Sequence, residues 1–210
     1  MAIAALGLWE HAMITLASTL VAVILTLLVG VALGIWSARS DRAAAILRPM
    51  LDAAQTMPAF VYLVPALALF GPTRFTAIVA ALIYATPSVI RLVDDGIRGV
   101  PASVLEAATS AGATARQLLW KVQLPVARRS ILLAANQGII LVLAMVVVGG
   151  LVGGGALGYD VIVGFSKSAE SGKGLAAGIA IVLLGVMLDR ITQAAGARRE
   201  RVSRAGDVGT

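Results

Sequence analysis

The sequence predicts an all-α membrane protein of about five transmembrane helices, and three observations carry that prediction. Hydrophobic residues make up 59% of the 210 and charged residues 13%, with a mean hydropathy of +0.93, whereas a soluble domain is about one quarter charged. His11 to Ser37 and Ser130 to Tyr159 contain no full charge, and each matches or exceeds the roughly 20 residues a helix needs to cross a bilayer. Between apolar runs lies one long polar interruption, Pro101 to Pro125, where the chain must leave the membrane and return. Spans consume most of the length, so residues 1–210 read as a single membrane domain with a loop at 101–125 and a charged tail at 190–210.

The same composition excludes several functions. A net charge of +6 and a pI near 10.5 are compatible with nucleic-acid binding, but the basic residues cluster between apolar runs and read as topology signals instead. With no cysteine there is neither a disulfide framework nor a thiolate metal site, and one histidine, His11, cannot form a cluster. The spans hold almost no acids, and no Gly-Lys-Ser/Thr phosphate loop occurs, so neither catalysis nor ATP hydrolysis is expected of this chain alone. No Lys or Arg precedes Arg39, so a signal peptide is not expected and the first apolar run should remain as a span. No internal repeat is evident.

The first span lies within His11–Ser37, and Gly30 and Gly34 near its end allow close helix contact inside the chain. SARSDRAAAILRP then reads as a short polar connection. In DAAQTMPAFVYLVPALALFGPTR, Pro58 and Pro65 are expected to bend or interrupt the second span. The third run, Phe75 to Ile90, is short, so Arg74 and Arg91 would have to snorkel or the helix recruit flanking residues; Asp94 and Asp95 beyond it read as a solvated helix end beside Arg91 and Arg98. The fourth span falls in Ser130–Tyr159. Gly153, Gly155 and Gly158 at its far end match a dinucleotide fingerprint only formally, because a membrane-length run precedes them in place of a short strand. Tyr159 to Lys173 reads as an external loop, Leu175 to Leu188 as the fifth span, and GARRERVSRAGDVGT as a frayed tail.

Five spans leave the termini on opposite sides. With the 101–125 loop inside, the cytoplasmic Lys and Arg are 39, 42, 48, 91, 98, 116, 121, 128, 129, 190, 198, 199, 201 and 204, and only Arg74, Lys167 and Lys173 stay outside. The positive-inside rule therefore predicts an external N-terminus and a cytoplasmic C-terminus.

Within the loop, Ser103 with Glu106 and Thr114 with Gln117 form two capping-box patterns, each marking a helix start. Gly112 supplies a bend between them, and Pro125 is expected to stop the second helix. Val104, Ala107, Ala108 and Ala111 line one small-residue face; Leu118, Leu119, Trp120 and Val122, flanked by Arg116 and Lys121, make the second helix bulkier.

Glu106, Ala107, Ala108, Gly112, Val122, Leu124 and Pro125 resemble, without a gap, the E-A-A-x3-G-x9-I-x-L-P signature of permease subunits of binding-protein-dependent ABC importers, with Val122 in place of Ile. The resemblance implies the type I importer permease fold in a multi-pass bacterial cell-membrane protein. Its 101–125 segment would be a cytoplasmic coupling loop docked on a separate ATPase, which alone binds ATP and Mg. Glu106, Ala107, Ala108, Gly112, Leu118, Leu119, Trp120, Leu124 and Pro125 would form the docking surface. An extracytoplasmic binding protein and a second permease copy, giving a homodimer in lipid, complete the implied partners; no cofactor is expected on this chain and no nucleic acid.

From Leu6 to Ala195 the chain is similar to permeases of the glycine betaine and proline betaine branch, on DAAQTMPAFVYLVPALALFG, IRLVDDGIRGV and GLVGGGALG. That implies a small quaternary ammonium osmoprotectant as cargo; choline, carnitine or an amino acid on the same architecture is the alternative, and a pump-independent channel or scaffold the rival class. Gln55, Thr56, Phe60, Tyr62 and Tyr84 are the translocation-path residues such a cation would pass, by cation–π attraction of roughly 0.5–2 kcal/mol.

Overall fold

The computed structural model describes residues 7–167 and 170–207, with side chains as far as 194. Among these every regular element is helical: α1 (Trp9–Arg39), α2 (Asp41–Thr56), α3 (Ala59–Phe70), α4 (Arg74–Arg98), α5 (Ala102–Ser110), α6 (Ala115–Gln117), α7 (Leu124–Val126), α8 (Arg128–Gly149), α9 (Ala156–Ser166) and α10 (Ser171–Asp207), with π-helical turns at Leu118–Gln123 and Gly150–Gly154. Four helical stretches, Trp9–Arg39, Arg74–Arg98, Arg128–Gly154 and Ser171–Ala194, are long and apolar enough to span a bilayer, and the pair α2–α3, bent by 97°, makes a fifth candidate. On α1, exposed Trp9 and Trp36 are about 40 Å apart at 1.5 Å per residue, close to bilayer thickness with its headgroup regions. They suit the two aromatic belts.

α4 is the central helix, packed most extensively against α1 and α8. Lipid provides no hydrophobic drive between helices, so small residues decide where backbones meet. A Cβ added to Gly30 would stand 2.6 Å from Val89, and one on Gly34 2.7 Å from Val93, so the two glycines of α1 pack inside the chain as their spacing predicts. Ala80, Ala81 and Ala85 of α4 meet Ala22, Val23, Leu63, Val142, Met145 and Val146 in the main core. Towards the loop, Val89, Val93 and Ile97 join Leu119, Ala127 and Ala134. At the N-terminal end Leu8 and Ala12 pack with Leu157, Ala177, Ala180 and Leu184.

Several expectations are corrected. The polar stretch after α1 is itself a helix: Ser40 alone separates α1 from α2, and its side chain accepts from Ala43 N–H as an N-cap. Pro58 breaks the chain, but Pro65 lies inside α3 without interrupting it. By contrast, the short third run recruits flanking residues, one of the two solutions expected, and extends from Arg74 through Arg98. Asp94 is not solvated but 4% exposed, paired with Arg98 at 3.0 Å and facing Arg48 at 3.8 Å, while Asp95 is exposed; successive residues on a helix point in different directions. The expected external loop is largely α9, whose Gly164 backbone lies against Gly174 of α10. The charged tail continues α10 to Asp207.

Candidate functional site

The loop between α4 and α8 forms a protruding helical knob. The first corrected feature is its start: Pro101, not Ser103, is the N-cap of α5, and no side chain caps that end. A proline at that point fixes the entry without a hydroxyl, so Glu106 makes no cap bond and is exposed. The C-terminus of α5 closes as a Schellman motif, with Gly112 N–H donating to Thr109 O at 2.9 Å and Ala113 N–H to Ala108 O at 3.1 Å. Gly112 has φ +81° and open space around a would-be Cβ, so its requirement is conformational, and the bend projects from the surface.

The second start signal forms as predicted. Thr114 accepts from Gln117 N–H, and Gln117 Oε1 accepts from Thr114 N–H at 2.9 Å; such a box contributes about 1 kcal/mol. From Leu118 the helix widens into a π-turn in which Leu124 N–H donates to Leu119 O. Pro125 therefore does not end the helix: its missing N–H falls where the regular ladder is already interrupted, and it occupies the start of α7. The wide turn sends Leu119 into the core at 2% exposure and leaves Trp120 60% exposed. Trp120 lines a shallow surface pocket with Thr114, Arg116, Gln117 and Lys121.

Of the other predicted docking residues, Ala107 and Pro125 are exposed and Ala108, Leu118 and Leu124 half-buried. The predicted group thus divides into an outer set centred on Glu106, Gly112 and Trp120 and an anchor, Leu119. Below the knob its two stems are in near backbone contact, since a Cβ on Gly96 would stand 2.4 Å from Ser130.

The five predicted path residues also divide. Gln55, Thr56 and Phe60 are exposed around the Pro58 break, with the Thr56 hydroxyl donating to Ala53 O at 2.8 Å. Tyr62 is buried, its hydroxyl donating to Ala54 O, and Tyr84 meets it edge-on with ring centroids 5.6 Å apart. No group of three or more His, Asp or Glu side chains among the described residues is arranged for a metal.

Two polar clusters escaped the sequence reasoning. Asp160 on α9, 1% exposed, pairs with His11 of α1 and with Lys173 of α10 at 3.1 Å. At the opposite end Arg98 donates to Asp94, to Asp41 at 2.8 Å and to Ser37 O at 2.8 Å. The only sequence signal for the second was the spacing of alternating charges at 41, 48 and 52 against 91, 94 and 98.

Comparison with known proteins gives this geometry a family. Over 195 residues, 93% of its length, the chain is 48% identical to the glycine betaine/proline betaine transport system permease protein ProW of Escherichia coli (strain K12), and it spans 55% of that relative. It is 45% identical to the glycine betaine transport system permease protein OpuAB of Bacillus subtilis (strain 168) over 90% of the chain and 66% of the relative. Among solved structures, the MetNI methionine ABC transporter in inward-facing conformations superposes with a TM-score of 0.72 at 25% identity, covering 90% of this chain and 92% of that one, so the all-helical bundle has the type I importer permease fold. Residues 30–201 match the model of the binding-protein-dependent transport system inner membrane component. The chain therefore belongs to that family of inner membrane transport components.

Proposed function

We propose that this chain is the transmembrane permease subunit of an ATP-driven importer for glycine betaine or a related small quaternary ammonium osmoprotectant. The observation that carries the reading is the knob itself, an exposed bent surface presenting Glu106, Gly112 and Trp120 on a buried Leu119 root. The cargo assignment is supported by relatives named for glycine betaine transport. In this reading the knob enters a cleft on a separate ATPase subunit that binds ATP and Mg, and nucleotide-driven closure reorients the bundle between inward-open and outward-open arrangements. A binding protein delivers the cargo from outside, where the N-terminus lies; the C-terminus and knob are cytoplasmic. A second copy faces the first to enclose the path, with Gln55, Thr56 and Phe60 at the break its most accessible contacts.

Reconstitution of the permease with its ATPase and binding protein in vesicles tests this directly. Glycine betaine is expected to stimulate ATP hydrolysis and accumulate, with choline, carnitine and amino acids competing weakly. Gly112→Asp is expected to weaken ATPase association about tenfold, because the residue must then hold a left-handed conformation costing 1–3 kcal/mol. Unchanged association would remove the docking role, and uptake without any ATPase would favour a channel.

A further inference from the structure

We propose that a ladder of ion pairs between α2 and α4 transmits movement of the docked knob to the Pro58 break, making Arg98, Arg91, Asp41 and Asp52 positioning residues for transport. The proposal rests on the importer reading above. The two helices run antiparallel along the ladder: Asp41 pairs with Arg98, Arg48 faces Asp94 and Asp52 pairs with Arg91. Arg98 stands one turn before the knob. It binds Ser37 O in the last turn of α1, Asp41 in the first turn of α2 and Asp94 on its own helix, so three elements converge on one guanidinium at the base of the loop.

Besides the ladder, α2 is held by the Tyr62 hydroxyl of α3, which donates to Ala54 O across the break, and by modest packing. Only Ala43, Ala44 and Leu51 of its side chains are buried, whereas α3 beyond the break places Tyr62, Leu63 and Ala66 in the main core. The 97° bend at Pro58 therefore separates a segment tied by charge to α4 from one tied by packing to the bundle. On the other side of the ladder, Leu119 belongs to the buried cluster that includes Val89, Val93 and Ile97 of α4, and Gly96 against Ser130 joins the stems. Displacing the knob thus moves the end of α4, α4 moves α2 through the charges, and the strain arrives at Pro58, beside Gln55, Thr56 and Phe60.

The natural chain has no cysteine, so spin labels can be placed uniquely through Met50→Cys on α2, Ser110→Cys on the knob and Leu69→Cys on α3, all at exposed positions. In the full complex, ATP binding is expected to leave the 50–110 distance within about 2 Å while changing the 50–69 distance by more than that, at the scale of element shifts in such transitions. Equal changes in both distances, or no change in the second, would overturn the ladder. These readings need no cargo, so a complex that moves as described without betaine stimulation would remove the cargo assignment and leave the ladder standing. In transport assays Asp52→Arg, which faces Arg91 with a like charge, is expected to keep ATPase association within twofold and to lower cargo moved per ATP about tenfold. Asp52→Arg with Arg91→Asp is expected to recover at least half of that ratio. A parallel fall in hydrolysis and transport, or no recovery, would assign the ladder a purely structural role.

Discussion

At the loop end of the bundle, α1, α2 and α4 meet through a ladder of charges with one buried acid and two exposed ones: the side chain of Asp94 is 6% exposed, those of Asp41 and Asp52 95% and 63%. At the N-terminal end, α1, α9 and α10 meet through an apolar cluster and one carboxylate, Asp160, whose side chain is 2% exposed and which reaches outward to His11 and Lys173. Exposed pairs each contribute little and are screened by salt. A buried charge, once its partners are removed, is costly. The N-terminal joint therefore includes one buried charge, whereas the rungs Asp41–Arg98 and Asp52–Arg91 on either side of Asp94 are exposed pairs, individually weak, that act together because Arg98 binds α1, α2 and α4 at once.

The largest expected effect comes from a packed contact at the loop end. Gly96→Val places a side chain where Ser130 already stands, and overpacking of this kind is worth about 3 kcal/mol. Thermal unfolding in detergent should show that loss; a change within error would mean that the stems move apart at little cost. Next is Asp160→Ala, expected to cost about 2 kcal/mol as its charged hydrogen bonds disappear, with the cost unaltered by salt because the carboxylate is buried. A loss that shrinks in high salt would place Asp160 in the same class as the exposed Asp41 and Asp52. Asp52→Asn should cost less than about 1 kcal/mol, and raising salt to about 1 M, where the screening length is about 3 Å, should abolish the difference from wild type.

How far this was legible in the sequence follows from the range of the interactions. Spans and knob were legible because they depend on local composition, and Gly112 because a helix end has a local conformational requirement. Both joints were missed for one reason: Asp160 meets His11 and Asp41 meets Arg98 across 149 and 57 positions of the chain, and a span pattern says nothing of which helices become neighbours. Asp94 was misread because Arg48, which it faces, lies on another helix far along the chain, and nothing in the local pattern shows that α2 covers it. Pro65 and Pro125 show the converse error. A proline interrupts a helix only if the missing N–H and the ring clash are left uncompensated, and the π-turn before Pro125 accommodates both.

The smallest expected effect isolates that lesson within the knob. Ser103 and Thr114 occupy the same position in the same four-residue pattern, yet only Thr114 receives a backbone N–H. Pro101 already holds the N-cap of α5, so the Ser103 hydroxyl sits two residues too late to cap it. Thr114→Ala is accordingly expected to cost about 1 kcal/mol, and Ser103→Ala to stay within about 0.5 kcal/mol, as surface substitutions away from such features do. Because both residues lie outside the buried root of the knob, each change should leave Leu119 and the helix bundle untouched. Comparable losses from the two variants would show that α5 starts at Ser103 in the working protein, which would rotate the small-residue face of α5 and alter the surface the knob presents.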